Sequence, residues 1–328
     1  MLRLPPFRYV EPRSVTDALR LRADAGPDGA YVAGGTDLYP NMKRRQQTPR
    51  TVIGIGRLRE LGVIHGSPHD DGLTIGAGVT LSALVRHESV RRFYPSVARA
   101  ASLVSTPLLR NMGTIGGNLL LDTRCNYYDQ TYEWRKAIDF CMKRDGEICW
   151  VAPSSPRCWA VQSSDSAPLA VAIGAEVTLV SARGERRIPA SALYHNDGMA
   201  YTTKQPDELL VAYHLPPVDD WRATYLKLRR RDSFDFPVLG VAAQVQVTEG
   251  RVTRARIVLG AVASCPLEVP DAASVLVGQR LDPSTIGAAA DAAFRPAKPM
   301  DNTDLTLAWR KEMVRVYVQR ALEELAAA

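Results

Sequence analysis

Apolar positions fall in short runs whose period changes along the chain. Ser14-Val15-Thr16-Asp17 has the form of a capping box, and Val15, Ala18, Leu19 and Leu21 follow at helical spacing until Gly26, Pro27 and Gly29 end the run. Ala30 to Ala33 reads as a short apolar strand leading straight into Gly34-Gly35-Thr36-Asp37. Thr51 to Ile55 and Leu73 to Ala77 are further strands, and Leu81 to His87 and Ser96 to Leu103 are helices. Helix and strand patterns return from Pro168 to Val180 and lead to a polar hairpin around Arg183 to Arg187. A domain joint is expected at Pro216-Pro217-Val218-Asp219-Asp220. Beyond it, Thr224 to Arg230, Val238 to Val247 and Arg254 to Val262 alternate as antiparallel strands. Two helices, about Ser284 to Phe294 and Asp304 to Leu325, close the chain. The predicted fold class is α+β, with one domain over residues 1–220 and a smaller one of antiparallel sheet and helices over 221–328.

Residues 119–164 break this pattern. The stretch is rich in Cys, Trp, Tyr, Asp, Arg and Pro and keeps no period, and a long irregular excursion within a compact domain is usually functional. Cys125, Cys141, Cys149 and Cys158 all lie in it, spaced Cys-x15-Cys-x7-Cys-x8-Cys, while Cys265 stands apart and reads as structural. In a reducing compartment such a cluster points to a metal site rather than to disulfides. Structural zinc prefers close Cys-x2-4-Cys pairs, which are missing. A [4Fe–4S] cluster needs only four thiolates drawn from separate stretches, which suits the wide spacing. Zinc and simple burial of four small side chains stay open as alternatives. Arg124, Lys143, Arg144 and Arg157 flank the cysteines, either to offset a cluster's negative charge or as solvated groups.

Composition narrows the field. The net charge is +6, with basic runs at Lys43-Arg44-Arg45 and Lys227 to Arg231. Neither run interleaves with aromatic residues for stacking bases, so nucleic acid is not expected, whereas an acidic electron carrier suits the charge. No run approaches the roughly 18 apolar residues of a membrane span. Pro5 and Pro6 interrupt what a secretory signal would need, so a cytoplasmic protein is expected. His65, His69 and Asp70 belong to a polar turn, Gly66 to Gly72, rather than to a metal site. No general acid–base or nucleophile set is visible.

Paired glycines recur in Tyr31-Val32-Ala33-Gly34-Gly35-Thr36-Asp37-Leu38 and in Thr114-Ile115-Gly116-Gly117-Asn118. Such loops turn backbone N–H groups toward one concavity and can clasp a pyrophosphate, although each alone usually means a turn. Gly54-Ile55-Gly56 and Gly76-Ala77-Gly78 lack the third glycine of a Rossmann fingerprint, so a dinucleotide would sit on a different fold. Together the two loops resemble the FAD loops of the xanthine dehydrogenase and carbon monoxide dehydrogenase flavoproteins. The likeness extends over Phe7 to Ala18, Leu73 to Leu81, Ser164-Asp165-Ser166-Ala167-Pro168, Leu210 to Pro216 and Tyr225-Leu226-Lys227. It implies a two-lobed FAD-binding domain followed by the family's C-terminal domain, with Tyr31 to Leu38 wrapping the FAD diphosphate. It also implies that Thr114, Gly116, Gly117 and Asn118 form the second loop, that Val104 packs near the cofactor, and that Asp165 is a hydrogen-bonding anchor. Leu210 and Lys227 would lie beside the flavin.

The insertion resembles that of one branch of the family, the 4-hydroxybenzoyl-CoA reductases. Asp122-Thr123-Arg124-Cys125, Tyr127-Tyr128-Asp129-Gln130, Trp134-Arg135 and Arg231-Asp232-x2-Asp235-Phe236-Pro237 carry that likeness. It implies a [4Fe–4S] cluster on Cys125, Cys141, Cys149 and Cys158, partner subunits with molybdopterin and [2Fe–2S], a hexamer of three chain types, and ferredoxin as electron donor. An oxidative relative with a zinc-bound loop, and a non-enzymatic flavin-binding module, are the alternatives.

Overall fold

The computed structural model describes residues 2–327. Strands β1 (Arg8–Val10), β2 (Gly29–Val32) and β3 (Thr51–Gly54) form a parallel sheet in the order β1-β3-β2. The crossover between the first two is the helix Val15–Ala25, which starts where the Ser14 hydroxyl accepts from the Asp17 N–H at 3.1 Å. The Asp17 carboxylate takes the Arg13 N–H at 3.0 Å, one residue earlier than a strict capping box. Ala18 on the buried face packs with Ile53, Ile55 and Leu58. The glycine pair therefore leaves the C-terminal end of a parallel strand, where open parallel sheets present their ligands.

A second, antiparallel sheet contains β4 (Ile64–Ser67), β5 (Gly72–Gly76), β6 (Glu176–Ser181), β7 (Gly184–Pro189) and β8 (Leu209–Leu215), in the order β4-β5-β8-β6-β7. Its apolar face, with Leu73, Ile75, Val177, Leu179 and Tyr213, packs on the helices Leu81–Arg86, Pro95–Ser102 and Ser166–Ala172. The expected polar turn before Gly72 joins β4 to β5, and the expected hairpin joins β6 to β7. His214 bridges the hydroxyls of Thr74 and Thr178 at 3.0 and 2.7 Å, a structural role.

The third sheet contains β9 (Trp221–Leu228), β10 (Leu239–Thr248), β11 (Arg251–Gly260) and β12 (Leu267–Glu268), antiparallel in the order β12-β11-β10-β9. Leu239, Val241, Ala243 and Val245 face the helices Pro270–Leu276, Pro283–Phe294 and Leu307–Ala327. Tyr225, Ala242 and Val258 belong instead to the core of the second sheet. Both faces of this sheet are thus buried, and it holds Tyr225 and Lys227 of β9 against Asp165. The fully buried Arg310 ties the last helix down by donating to the carbonyls of Val238, Met300 and Ala261.

Elements that sequence periodicity misses are short: Arg8–Val10, Glu88–Phe93, Tyr132–Ala137 and Pro270–Leu276. At three to seven residues, none completes enough turns or alternations to show a period.

Candidate functional site: a long cleft beside a four-cysteine site

A cleft of about 450 Å³ runs between the parallel sheet and the second core. Tyr31, Val32, Ala33, Gly34, Gly35, Thr36, Asp37, Leu38, Val104, Thr114, Gly116, Gly117, Asn118, Asp165 and Leu210 all line it. Arg22, Lys204 and Pro206 also border it, as do Ser105 and Phe234. Phe234 and Ser105 both have positive φ, 72° and 47°, and the Phe234 N–H donates to the Ser105 carbonyl at 3.1 Å. Two strained residues clasp each other in the cleft lining, the kind of strain that collects at functional sites.

The first glycine loop carries free donors. Among the described residues, no protein oxygen accepts from the backbone N–H groups of Gly34, Gly35, Thr36 and Asp37. Four consecutive unsatisfied N–H groups facing a cleft form an anion nest. Gly35 has φ +70°, and a Cβ there would collide with the Tyr39 ring. The second loop differs. Ile115 and Gly116 N–H groups bond Val79 and Ala77 carbonyls, and the Gly117 N–H bonds the Thr114 hydroxyl. A Cβ on Gly116 would stand 2.6 Å from Ala77 Cβ. That loop supplies shape and close approach, its N–H groups from Ile115 to Asn118 being satisfied within the protein.

Asn118 ties the second loop to the Ser164–Ser166 turn, its Oδ1 accepting from Ser164 Oγ at 2.9 Å and from the Ser166 N–H at 3.1 Å. The turn sets Asp165, which accepts from Tyr225 Oη and Lys227 Nζ at 2.9 Å each. Burial pushes the Asp165 carboxyl up, while Lys227 and Tyr225 hold it down. Lys227 stands one layer behind the cleft lining. Its ammonium is spent on Asp165 and on the Leu103 carbonyl at 2.9 Å, so its charge reaches the cleft only through Asp165. Lys227→Met would strand a buried carboxylate. It should cost roughly 3–5 kcal/mol, visible in chemical denaturation, whereas Lys227→Arg should cost less. Lys204, by contrast, lines the cleft without having been foreseen, and burial lowers its amine to about 8.

The insertion is closed at its neck by two hydrogen bonds, each 2.8 Å, between the backbones of Arg124 and Val161. Beyond the neck, Cys125, Cys141, Cys149 and Cys158 border one internal space together with Tyr127, Tyr128, Lys143 and Trp150. Cys125, Cys141 and Cys149 each open a local turn, their carbonyls accepting from the N–H groups of Tyr128, Arg144 and Ala152 at 3.0, 2.8 and 3.0 Å. The Ala160 N–H donates to Cys158 Sγ at 3.4 Å, and the backbone N–H groups just after the other three cysteines favour their thiolates. Such bonds favour thiolate and tune metal–sulfur centres. Burial still pushes the Cys125 and Cys141 thiols up. Cys149 is held low by a hydrogen bond from the Cys158 thiol, which is raised in turn. The space between the sulfurs is about 10 Å³, so any inorganic core would spread the side chains outward. Among the described residues, no three His, Cys, Asp or Glu side chains converge closely enough to share one ion. Gly198 backs this site: a Cβ there would lie 2.7 Å from Cys158 Sγ and 2.8 Å from the Ala160 nitrogen. Gly198→Ala should lower the metal content of the purified protein at least twofold and leave bound flavin unchanged, as measured by elemental analysis and flavin absorbance.

Residues 5–218 match the model of the FAD binding domain in molybdopterin dehydrogenase, and residues 223–325 match the carbon monoxide dehydrogenase flavoprotein C-terminal domain. The chain belongs to the molybdopterin dehydrogenase flavoprotein family. It is 34% identical over 280 residues to the aldehyde oxidoreductase FAD-binding subunit PaoB of Escherichia coli K12, covering 81% of this chain and 85% of that one. Identity is 28% to the carbon monoxide dehydrogenase medium chain of Afipia carboxidovorans, over 98% of this chain and 97% of that one. The 6-hydroxypseudooxynicotine dehydrogenase complex subunit alpha of Paenarthrobacter nicotinovorans is 27% identical, over 97% and 94%. The fold superposes on reconstituted carbon monoxide dehydrogenase from Oligotropha carboxidovorans with a TM-score of 0.81, at 27% identity and 99% coverage of both chains.

The protein is therefore an FAD-binding oxidoreductase subunit of the molybdenum hydroxylase family, and the expected α+β fold is the family's fold. Among the described residues, no helix is long and apolar enough to cross a membrane.

Proposed function

We propose that this subunit relays electrons between an external carrier and a molybdenum-bearing partner, using FAD in the cleft and a [4Fe–4S] cluster on Cys125, Cys141, Cys149 and Cys158. The carrying observation is that four buried cysteines from separate stretches of the insertion border one space. Thiolates drawn from four separate stretches suit a cube with a metal at each corner, which does not need the close cysteine pairs of a structural zinc site.

In this reading the nest at Gly34 to Asp37 holds the FAD diphosphate. Thr114, Gly116, Gly117 and Asn118 shape the opposite wall, and Val104, Asp165 and Leu210 border the ring end. Bound FAD supplies two-electron and one-electron redox chemistry at one place. Asp165, fixed by Tyr225 and Lys227, keeps its oxygens engaged within the protein and so holds that end of the cleft in one shape. Residues 1–220 and 221–328 act as two domains of one subunit in a cytoplasmic complex, whose reducing surroundings keep the thiols free.

Two reactions of the whole complex compete. The relatives named above are called dehydrogenases or an oxidoreductase, which supports an oxidative molybdenum hydroxylase acting on an aldehyde, a purine or carbon monoxide. The cysteine insertion supports 4-hydroxybenzoyl-CoA reductase, in which reduced ferredoxin feeds the cluster and electrons pass through FAD to a [2Fe–2S] subunit within a heterohexamer. Iron, sulfide and zinc analysis of the anaerobically purified complex tests the cluster, and zinc without sulfide would refute it. Assays with 4-hydroxybenzoyl-CoA plus a low-potential donor, against aldehydes, xanthine and carbon monoxide with a dye acceptor, separate the two reactions.

A further inference from the structure

The cysteine site and the cleft share a wall one ion pair thick, and that pair is Lys143 with Asp122. Lys143 borders the space between the four sulfurs, and Asp122 borders the cleft. Both side chains are almost fully buried, 6% and 7% exposed. The Lys143 ammonium has all three protons placed: on Asp122 Oδ1 at 2.8 Å, Thr123 Oγ1 at 2.7 Å and the Gly198 carbonyl at 2.7 Å. It also lies over two rings, Tyr128 at 4.8 Å on the cysteine side and Tyr201 at 5.4 Å on the cleft side. Asp122 Oδ2 takes Tyr128 Oη at 3.4 Å and Gln47 Nε2 at 3.3 Å, again one group from each side. Hydrogen bonds thus run unbroken from the thiol space to the cleft.

From this we infer that Lys143 is a positioning residue for electron transfer, a fixed buried cation that sets the reduction potential of the cysteine-bound centre and of the flavin together. The inference rests on the cluster reading above. An electron leaving the reduced centre reduces the flavin, and the centre is oxidised by the same electron's departure; in the opposite direction the roles exchange. The Lys143 charge borders the sulfur space directly and reaches the cleft through Asp122 and Tyr201. A fixed positive charge in a low-dielectric wall stabilises the added electron, and exposed basic residues such as Arg144 are screened by solvent and do far less. Asp122 opposes the effect, so removing each member of the pair must move the potentials in opposite directions.

The test is an EPR-monitored and absorbance-monitored dithionite titration of the anaerobically purified complex, after iron, sulfide and FAD have been counted. Lys143→Met should lower the midpoint of the cysteine-bound centre by at least one tenfold step in its oxidised-to-reduced ratio, about 59 mV for one electron. The flavin midpoint should fall too. Asp122→Asn should raise both. Lys143→Met leaves a buried carboxylate without its cation, so Lys143→Met/Asp122→Asn is measured as well; it removes both charges, and its midpoints should lie between those of the single variants. Unmoved midpoints in variants with full iron and FAD would overturn the inference, and a shift in the cysteine-bound centre alone would overturn the sharing between sites. Absence of iron and sulfide from the unaltered complex would instead overturn the cluster reading and this inference with it.

Discussion

Cys141→Ser should give a subunit that keeps its FAD and loses its iron. Cys141 opens the middle turn of the insertion, where its backbone carbonyl accepts the Arg144 and Gly146 N–H groups. Serine preserves the turn and the volume, so the backbone has no reason to move. A hydroxyl is a poor ligand beside three thiolates, and the buried site offers no substitute donor nearby. We expect iron to fall from about four per chain to well under one, with loss of the cluster signal on reduction. Flavin absorbance should be unchanged, because Cys141 does not line the cleft. Cys265→Ser is the control, since Cys265 packs against the second sheet's core and takes no part in the site. Retention of full iron and sulfide in Cys141→Ser would refute the four-thiolate assignment. Equal loss in Cys265→Ser would show that the effect is general instability.

How much of this site is legible in the sequence depends on how far each role is fixed by residue type. The glycine loops and the four cysteines are legible because their chemistry admits few substitutes: Gly35 needs φ +70°, and a metal–sulfur centre needs thiolates. The turns after Cys125, Cys141 and Cys149 are closed by backbone hydrogen bonds and leave no residue-level trace. The flanking cations are legible only as a group. Folding separates them: Arg124 and Lys143 become buried partners of Asp37 and Asp122, whereas Arg144 stays 41% exposed. Arg135, fully buried with its Nη2 on the Arg44 carbonyl, enters the sequence only as part of the Trp134-Arg135 likeness, and its burial leaves no trace there because a basic residue on a short helix reads as solvated. Lys227 shows the converse. Its place in a basic run suggested either the flavin or solvent, and β9 instead turns it inward onto Asp165, a choice made by strand register rather than by composition.

Gly34→Ala should abolish stable flavin binding. The reason is not backbone conformation but distance. A Cβ on Gly34 would overlap the carbonyl of Met112 and press on the Gly113 nitrogen at 3.0 Å. Neither atom can yield by rotating a side chain, so the first loop and the Met112–Gly113 backbone must part. Gly113 is itself anchored, its carbonyl accepting the Leu81 N–H at 2.8 Å, and it leads directly into Thr114 and the second loop. One methyl group therefore separates the loop that carries the free N–H donors from the loop that shapes the opposite wall. The nest loses its aim at the cleft, and electrostatic contacts of this kind fail steeply with small displacements. We expect at least a 100-fold rise in the FAD dissociation constant, about 2.8 kcal/mol, measured by fluorescence titration of deflavinated protein. Gly287→Ala serves as control: nothing lies within 4 Å of a Cβ there, it sits within the helix Pro283–Phe294, and alanine should hold that helix better by about 1 kcal/mol. Flavin affinity should be the same as in the unaltered protein. If Gly34→Ala retained FAD at that same affinity, the spacing of the two loops would not be what builds the site, and the nest at Gly34 to Asp37 would have to be assigned to something other than the diphosphate.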